Sequence, residues 1–193
     1  FLGDFIDRGA EHRQLLKIVM DMVRNGHALS VMGNHEFNAL AYHTPNDYGY
    51  LRPHSEKNRK QHRAFLEAFA DDPQGRAEAL EFFYELPLWL DLPEFRVVHA
   101  CWHQTYVNLL SKITVNARLT ESLLVRASSK GTTEYKAIES LLKGHEVELP
   151  SGISFTDKDA NLRTAMRVRW WRQDAQNLGD LALPFGIDIG EAS

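Results

Sequence analysis

Cysteine is nearly absent from this chain of 193 residues: Cys101 stands alone. One thiol cannot close an internal disulfide, which excludes a disulfide-stapled scaffold and fits a reducing compartment. Long apolar runs are also missing, and no stretch approaches the ~20 residues that cross a membrane. Positive charge is not in excess, since 22 Lys and Arg face 26 Asp and Glu for a net charge of -4. There is thus no general attraction to nucleic acid, and an anionic ligand has to be held by a local cluster or by metal ions. Internal repeats and low-complexity tracts are lacking. No initiator Met, signal peptide or ordinary N-terminal helix precedes Phe1-Leu2-Gly3-Asp4, so the chain opens as if inside a strand. The expectation is a cytoplasmic protein without a membrane or nucleic-acid partner.

What is present suffices for a sizeable core: 44% of residues are hydrophobic and 25% charged, as in one globular domain over 1–193. Phe1 and Leu2 read as the end of a buried strand. Leu15, Leu16, Val19, Met22 and Val23 then recur at helical spacing, and Gly26 stops that helix. His27 to Met32 is a second strand, parallel to the first with the helix as crossover. In such a β-α-β unit the functional loops lie at the carboxyl ends of the strands, where the polar clusters Gly3 to Gly9 and Gly33 to Asn38 both fall. Ala41 to Pro53 is irregular and reads as a loop bordering the site.

Two helical stretches follow, His62 to Ala70 with Phe65, Leu66 and Phe69 on one side, and Arg76 to Leu86 with Leu80, Phe83 and Tyr84. Together they form a helical cap over about 54–86. Leu88 to Asp91 and Phe95 to Ala100 read as a hairpin whose second strand carries His99 to its end. Trp102 to Lys143 is mainly helical with a break from Ser128 to Thr133. Arg167 to Arg172 mixes alternation with aromatics as a strand does, although its Arg and Trp side chains could also stack a base and hold phosphates.

Taken singly, the polar clusters are unremarkable. A Gly-Asp or Gly-Asn pair after a strand is ordinary turn chemistry, Asp7-Arg8 is an ordinary solvated ion pair, and a strand-end His is an ordinary hydrogen-bonded bystander. Their combination and order are not ordinary. Gly3-Asp4-Phe5-Ile6-Asp7-Arg8-Gly9, then Gly33-Asn34-His35-Glu36 about 30 residues on, then Val98-His99-Ala100, resembles the calcineurin-like metallophosphoesterase family. The third motif departs from the pattern, with Cys101 and Trp102 following Ala100 where Ala-Gly is usual. The run from Phe1 through His43 is most similar to bacterial serine/threonine-phosphatase-type and bis(5'-nucleosyl)-tetraphosphatase-like members.

The resemblance implies an α/β fold, a β-sandwich flanked by helices, here incomplete at both ends. It implies a phosphoester hydrolase acting on a phosphoprotein or a dinucleoside polyphosphate. Its cofactors would be two divalent metal ions, Mn, Fe, Zn or Mg, which acidify a shared water and stabilise charge developing on oxygen. By the same resemblance Asp4 bridges the ions, while Asn34 and His99 complete the shell of the second. His35 protonates the leaving oxygen with Asp7 raising its pKa and fixing its orientation, and Arg8 clamps the phosphate with its planar fork. Glu36 is structural. His43, His54, His62 and His103 default to surface or loop roles, and Cys101 to packing.

Two further motifs of the family, an early Asp-x-His and a late Gly-His, would supply three more ligands. Gly144-His145 fits the second only superficially, because it follows the helical Leu141-Leu142-Lys143 and runs toward Pro150. On this reading the natural protein extends at both ends, and the residues 1–193 alone bind metal poorly. The rival is a non-catalytic binding or regulatory module of the same fold with a degenerate metal site.

Overall fold

The computed structural model describes residues 1–156 and 162–183. The chain divides into two compact units, Phe1–Lys143 and Gly144–Ser193. Helix and sheet are mixed, as expected for the α/β class, and the sheets are small and antiparallel. No helix among the described residues is long and apolar enough to cross a membrane.

The first unit begins with the parallel pairing expected of the opening β-α-β unit. The Phe1 amino group donates to the Leu29 carbonyl at 2.7 Å and the Val31 N–H to the Phe1 carbonyl at 3.2 Å. That contact is too brief to count as paired strands. The crossover is α1, His12–Arg24, whose buried residues are His12, Leu16, Val19 and Met20. The buried stripe therefore runs beside the expected one: Leu15 is exposed, Met22 and Val23 are only partly covered, and Met20 is inside. Beyond α1, Gly26 takes up a left-handed φ of +71° that lets the chain turn back.

Two expected loops are ordered differently. Asn34–His43 is a helix, α2, which buries Glu36, Phe37, Ala39, Leu40, Ala41 and Tyr42. Its start looks like turn chemistry because Gly33-Asn34 is polar. Yet Gly33 is an N-cap, and Glu36 at the third helical position accepts the Gly33 N–H at 2.9 Å. The stretch after it contains a short hairpin of β1, Pro45–Asn46, and β2, Gly49–Tyr50, whose turn is held by the Asn46 side chain accepting the Tyr48 N–H.

The two cap helices are longer than periodicity indicates because polar caps extend them. In α3, Glu56–Ala68, the Ser55 hydroxyl accepts the Asn58 N–H. In α4, Pro73–Glu85, the Asp72 carboxylate accepts the Gly75 N–H at 2.8 Å. Phe65, Phe82 and Phe83 from these helices are fully buried in a core shared with Ile6, Leu16, Met32 and Leu40. The expected hairpin forms between β3, Trp89–Asp91, and β4, Arg96–Val98. Three helices complete the unit: α5, Gln104–Ser111; α6, Glu121–Ser128; and α7, Thr133–Lys143. The break between α6 and α7 coincides with the expected interruption from Ser128 to Thr133, whereas the non-helical stretch between α5 and α6 was not expected.

In the second unit, β5, Glu146–Glu148, pairs with β8, Ala165–Val168, which also pairs with β9, Ala182–Leu183. Between them in sequence lie the paired β6, Phe155–Thr156, and β7, Leu162–Arg163. A four-residue helix, α8, Leu178–Leu181, precedes β9. Leu149, Met166, Val168 and Ala182 make a small core of this unit's own. The expected strand over Arg167 to Arg172 ends at Val168. Beyond it the guanidinium of Arg172 binds Asp174 at 2.9 Å and that of Arg169 donates to the Ala182 carbonyl at 3.0 Å.

Candidate functional site

The site is built on a tight loop laid against the start of α2. Gly3, Asp4, Asp7 and Gly9 all have left-handed backbones, with φ of +79°, +61°, +70° and +77°. Glycine adopts this freely, whereas for Asp it costs energy that the surroundings must recover. The recovery is visible in Glu36. Its carboxylate has 0% exposure and accepts N–H groups from Asp4 at 2.8 Å, Phe5 at 2.8 Å and Gly33 at 2.9 Å. Burial pushes the Glu36 carboxyl up, and the three N–H groups offset this only in part.

The loop and the helix touch so closely that neither glycine admits a side chain. A Cβ on Gly3 would lie 2.3 Å from the Gly33 nitrogen, and one on Gly33 would lie 2.5 Å from Asp4 Oδ1. This close approach brings Asp4 Oδ1 to 3.2 Å from the His35 backbone nitrogen, which donates to it.

Around Asp4 the three motifs converge. His99 Nε2 lies 3.5 Å from Asp4 Oδ1, and His35 Nε2 lies 3.9 Å from Asp4 Oδ2. The other ring nitrogen of His99, Nδ1, contacts the Leu2 carbonyl. A carbonyl only accepts, so Nδ1 carries a proton, and Nε2 is the ring nitrogen on the Asp4 side. Asn34 opens α2 between Gly33 and His35, both in contact with Asp4, and its amide makes no hydrogen bond among the described residues.

On the other side of the loop, Asp7 joins two imidazoles. Its Oδ2 lies 2.9 Å from His35 Nδ1 and its Oδ1 lies 2.9 Å from His62 Nδ1. Burial pushes the Asp7 carboxyl up, but the hydrogen bonds from His35 and His62 outweigh it and hold Asp7 below the usual carboxylate range. His35 is raised above its ordinary value, first by its bond to Asp7 and then by the charges of Asp4, Asp7 and Glu36, against desolvation. Behind His62, its Nε2 lies 3.4 Å from His43 Nε2. Burial, helped by His62, Arg76 and His54, pushes the His43 imidazole down to about 4, so it is neutral near pH 7.

Of the residues singled out by sequence, Asp4, Asp7, His35 and His99 are therefore brought together. Arg8 is exposed on the same loop and makes no hydrogen bond or ion pair among the described residues. Cys101 is buried, as expected of a packing residue. The surface reading of His62 is corrected: it is 3% exposed and bonded to Asp7. Also overturned is the surface reading of His43, which packs between Tyr42, His62 and Phe65. His54 is sandwiched between the rings of Tyr42 and Tyr50, at 3.9 Å from each, with Nε2 2.8 Å from the Tyr42 carbonyl. A faint signal existed for these residues: His62 is three before the core residue Phe65 on one helix face, a buried register for an imidazole that then needs a partner.

The calcineurin-like phosphoesterase family matches the chain over residues 1–177, and the chain belongs to that family. No curated protein and no solved structure matches it. Metal-dependent phosphoester hydrolysis is the general chemistry of the family.

The side chains near Asp4 suit such a metal in part. Asp4 offers a carboxylate, His99 an imidazole whose Nε2 faces it at 3.5 Å, and Asn34, at the start of α2, an amide without a hydrogen bond among the described residues. This mixture of hard oxygen and borderline nitrogen suits Mn, Fe, Zn or Mg. Among the described residues no group of three His, Cys, Asp or Glu side chains is arranged as a complete metal site. The three donors thus amount to one part of a coordination shell.

Proposed function

We propose that this chain is a phosphoester hydrolase in which Asp4, Asn34 and His99 would hold divalent metal, two ions in all, with Asp4 the carboxylate suited to serve both. The substrate is a phosphoprotein or a dinucleoside polyphosphate. What supports the reading is the convergence of all three motifs on Asp4, with His99 Nε2 at 3.5 Å and His35 Nε2 at 3.9 Å. Metal bound there would supply a water acidified to near neutrality and positive charge beside the phosphoryl oxygens.

The protein's own groups do the rest. His35 holds a proton on Nε2 for the departing oxygen, because its Nδ1–H is committed to Asp7 at 2.9 Å. Asp7 keeps that ring oriented and favours its charged form, which makes the protonated state available near neutral pH. Arg8, exposed and unengaged, presents a planar fork that matches two phosphate oxygens. The enclosed Glu36 keeps the Asp4 and Phe5 backbone in place.

The test is hydrolysis by purified protein supplied with Mn2+, comparing a phosphopeptide with diadenosine tetraphosphate and using His35→Asn as the control. Faster turnover of one substrate assigns the class, and His35→Asn should lose about 10²-fold or more in kcat. Absence of hydrolysis on both, with Mn2+ demonstrably bound, contradicts the enzyme and favours a binding module.

A further inference from the structure

We propose that His62 is a positioning residue of this site, holding Asp7 in the orientation that binds His35, and that His43 fixes the tautomer in which His62 does so. The proposal deepens the hydrolase reading above and rests on it for its kinetic part. Its geometry is independent of any metal.

A carboxylate accepts and does not donate, so both rings at Asp7 carry their proton on Nδ1. With its proton committed there, a neutral His62 has an accepting Nε2. In that neutral form the atom facing it at 3.4 Å, His43 Nε2, is the donor. The chain of bonds runs from His43 to His62, from His62 to Asp7 Oδ1, and from His35 to Asp7 Oδ2. His35 is thereby left with Nε2 as the ring nitrogen on the Asp4 side, 3.9 Å from Asp4 Oδ2.

Among the described residues only these two rings hydrogen-bond the Asp7 side chain, and Arg52 adds charge without a hydrogen bond. The Asp7 side chain is only 4% exposed. Its backbone has φ +70°, a conformation that persists in a non-glycine residue only where the surroundings hold it. With His62 removed, Asp7 Oδ1 loses the one hydrogen-bond donor it has among the described residues, in a buried place, and the carboxylate is freed to rotate away from His35. A mere packing role is separable from this one. His62 stacks on Phe65 with ring centroids 4.9 Å apart, and a phenylalanine would preserve that contact without donating a proton.

The experiment uses the full chain with His62→Phe and His62→Gln, read in two ways. The first is 15N–1H NMR of histidine-labelled protein without metal. The wild type should show protonated Nδ1 on both His35 and His62, and His62→Phe should shift or broaden the His35 Nδ1–H signal. The second is kcat and KM for phosphoester hydrolysis with Mn2+. Partners that orient a working imidazole typically account for about 10- to 100-fold, so His62→Phe should lose that much in kcat while KM stays within about twofold. His62→Gln, whose amide can still donate to Asp7, should recover most of the loss. If His62→Phe fails to fold, His62→Leu removes the donor with a smaller side chain and is read identically. A folded variant without the donor but with an unchanged His35 signal and wild-type kcat overturns the proposal. If the wild type hydrolyses no phosphoester, the hydrolase reading fails, and the NMR arm alone decides whether His62 positions His35.

Discussion

Glu36 accepts the backbone N–H of Asp4 at 2.8 Å across 32 residues of sequence, while sealed from solvent. With the Phe5 and Gly33 bonds, this one carboxylate fastens the first motif to the second. The expectation that Glu36 is structural gains a specific form: it holds the backbone that aims Asp4.

Glu36→Ala therefore leaves three enclosed N–H groups without an acceptor. At about 1–3 kcal/mol for each unsatisfied group, the loss should be at least about 3 kcal/mol, and urea unfolding should show a sharply lowered midpoint. Glu36→Gln keeps the volume but turns one acceptor into a donor. It should fall between the wild type and the alanine variant.

The same junction makes Gly33→Ala damaging for a different reason. The new methyl would sit 2.5 Å from Asp4 Oδ1 and 2.6 Å from the Asp4 nitrogen. Forcing the loop and helix apart should cost about 1–3 kcal/mol, an overpacking penalty. Because the displaced atom belongs to Asp4, Mn2+ affinity measured by calorimetry should fall as well, which a remote core substitution of equal cost would not cause.

The Asp7–His35 pair should leave its mark on pH dependence. Asp7 is held below its ordinary 3.8, so its contribution to stability is present above that pH and is lost as pH falls through the depressed value. His35 is raised above 6.5, so its contribution is complete below that pH and is lost as pH rises through the elevated value. The two overlap between the ordinary values of the two groups. Asp7→Asn should flatten the plot of urea midpoint against pH across that window. In kinetics with Mn2+, the alkaline limb of kcat should move to lower pH, since His35 loses the partner that favours its protonated form.

Arg8 offers a contrast, being exposed and without partners among the described residues. Arg8→Ala should leave thermal stability within about 0.5 kcal/mol of the wild type, as surface substitutions do. Its effect belongs to the substrate: KM for a phosphopeptide should rise roughly tenfold, the loss of a charge-assisted clamp. Lys at this position should recover only part of that, lacking the fork.

The legible parts of this molecule were those in which spacing along the chain carries the information. Asp4, Asp7, Asn34, His35 and His99 stand in ordered motifs, and all but Asn34 make side-chain contacts within the assembled site. The β3–β4 hairpin and the cap helices announced themselves through alternation and helical period. His62 did not, because its meeting with Asp7 is made across 55 residues and only folding brings them together. The helix α2 was hidden by its start: a Gly-Asn pair reads as a turn, whereas here Gly33 caps a helix that begins at Asn34. Neither could the left-handed φ of Asp4 and Asp7 be foreseen, since Asp tolerates ordinary backbone and the contacts that hold the loop, the Glu36 hydrogen bonds and the close approach of Gly3 to Gly33, form only on folding.

Metal is expected in one place, beside the Asp4 carboxylate and His99 Nε2, where Asn34 opens α2. Anomalous diffraction from crystals grown with millimolar Mn2+ addresses it directly. A peak within about 2.0–2.6 Å of Asp4, Asn34 and His99 donor atoms is expected. A peak at some other cluster of side chains, or none at this one despite ordered Asp4 and His99, contradicts the account.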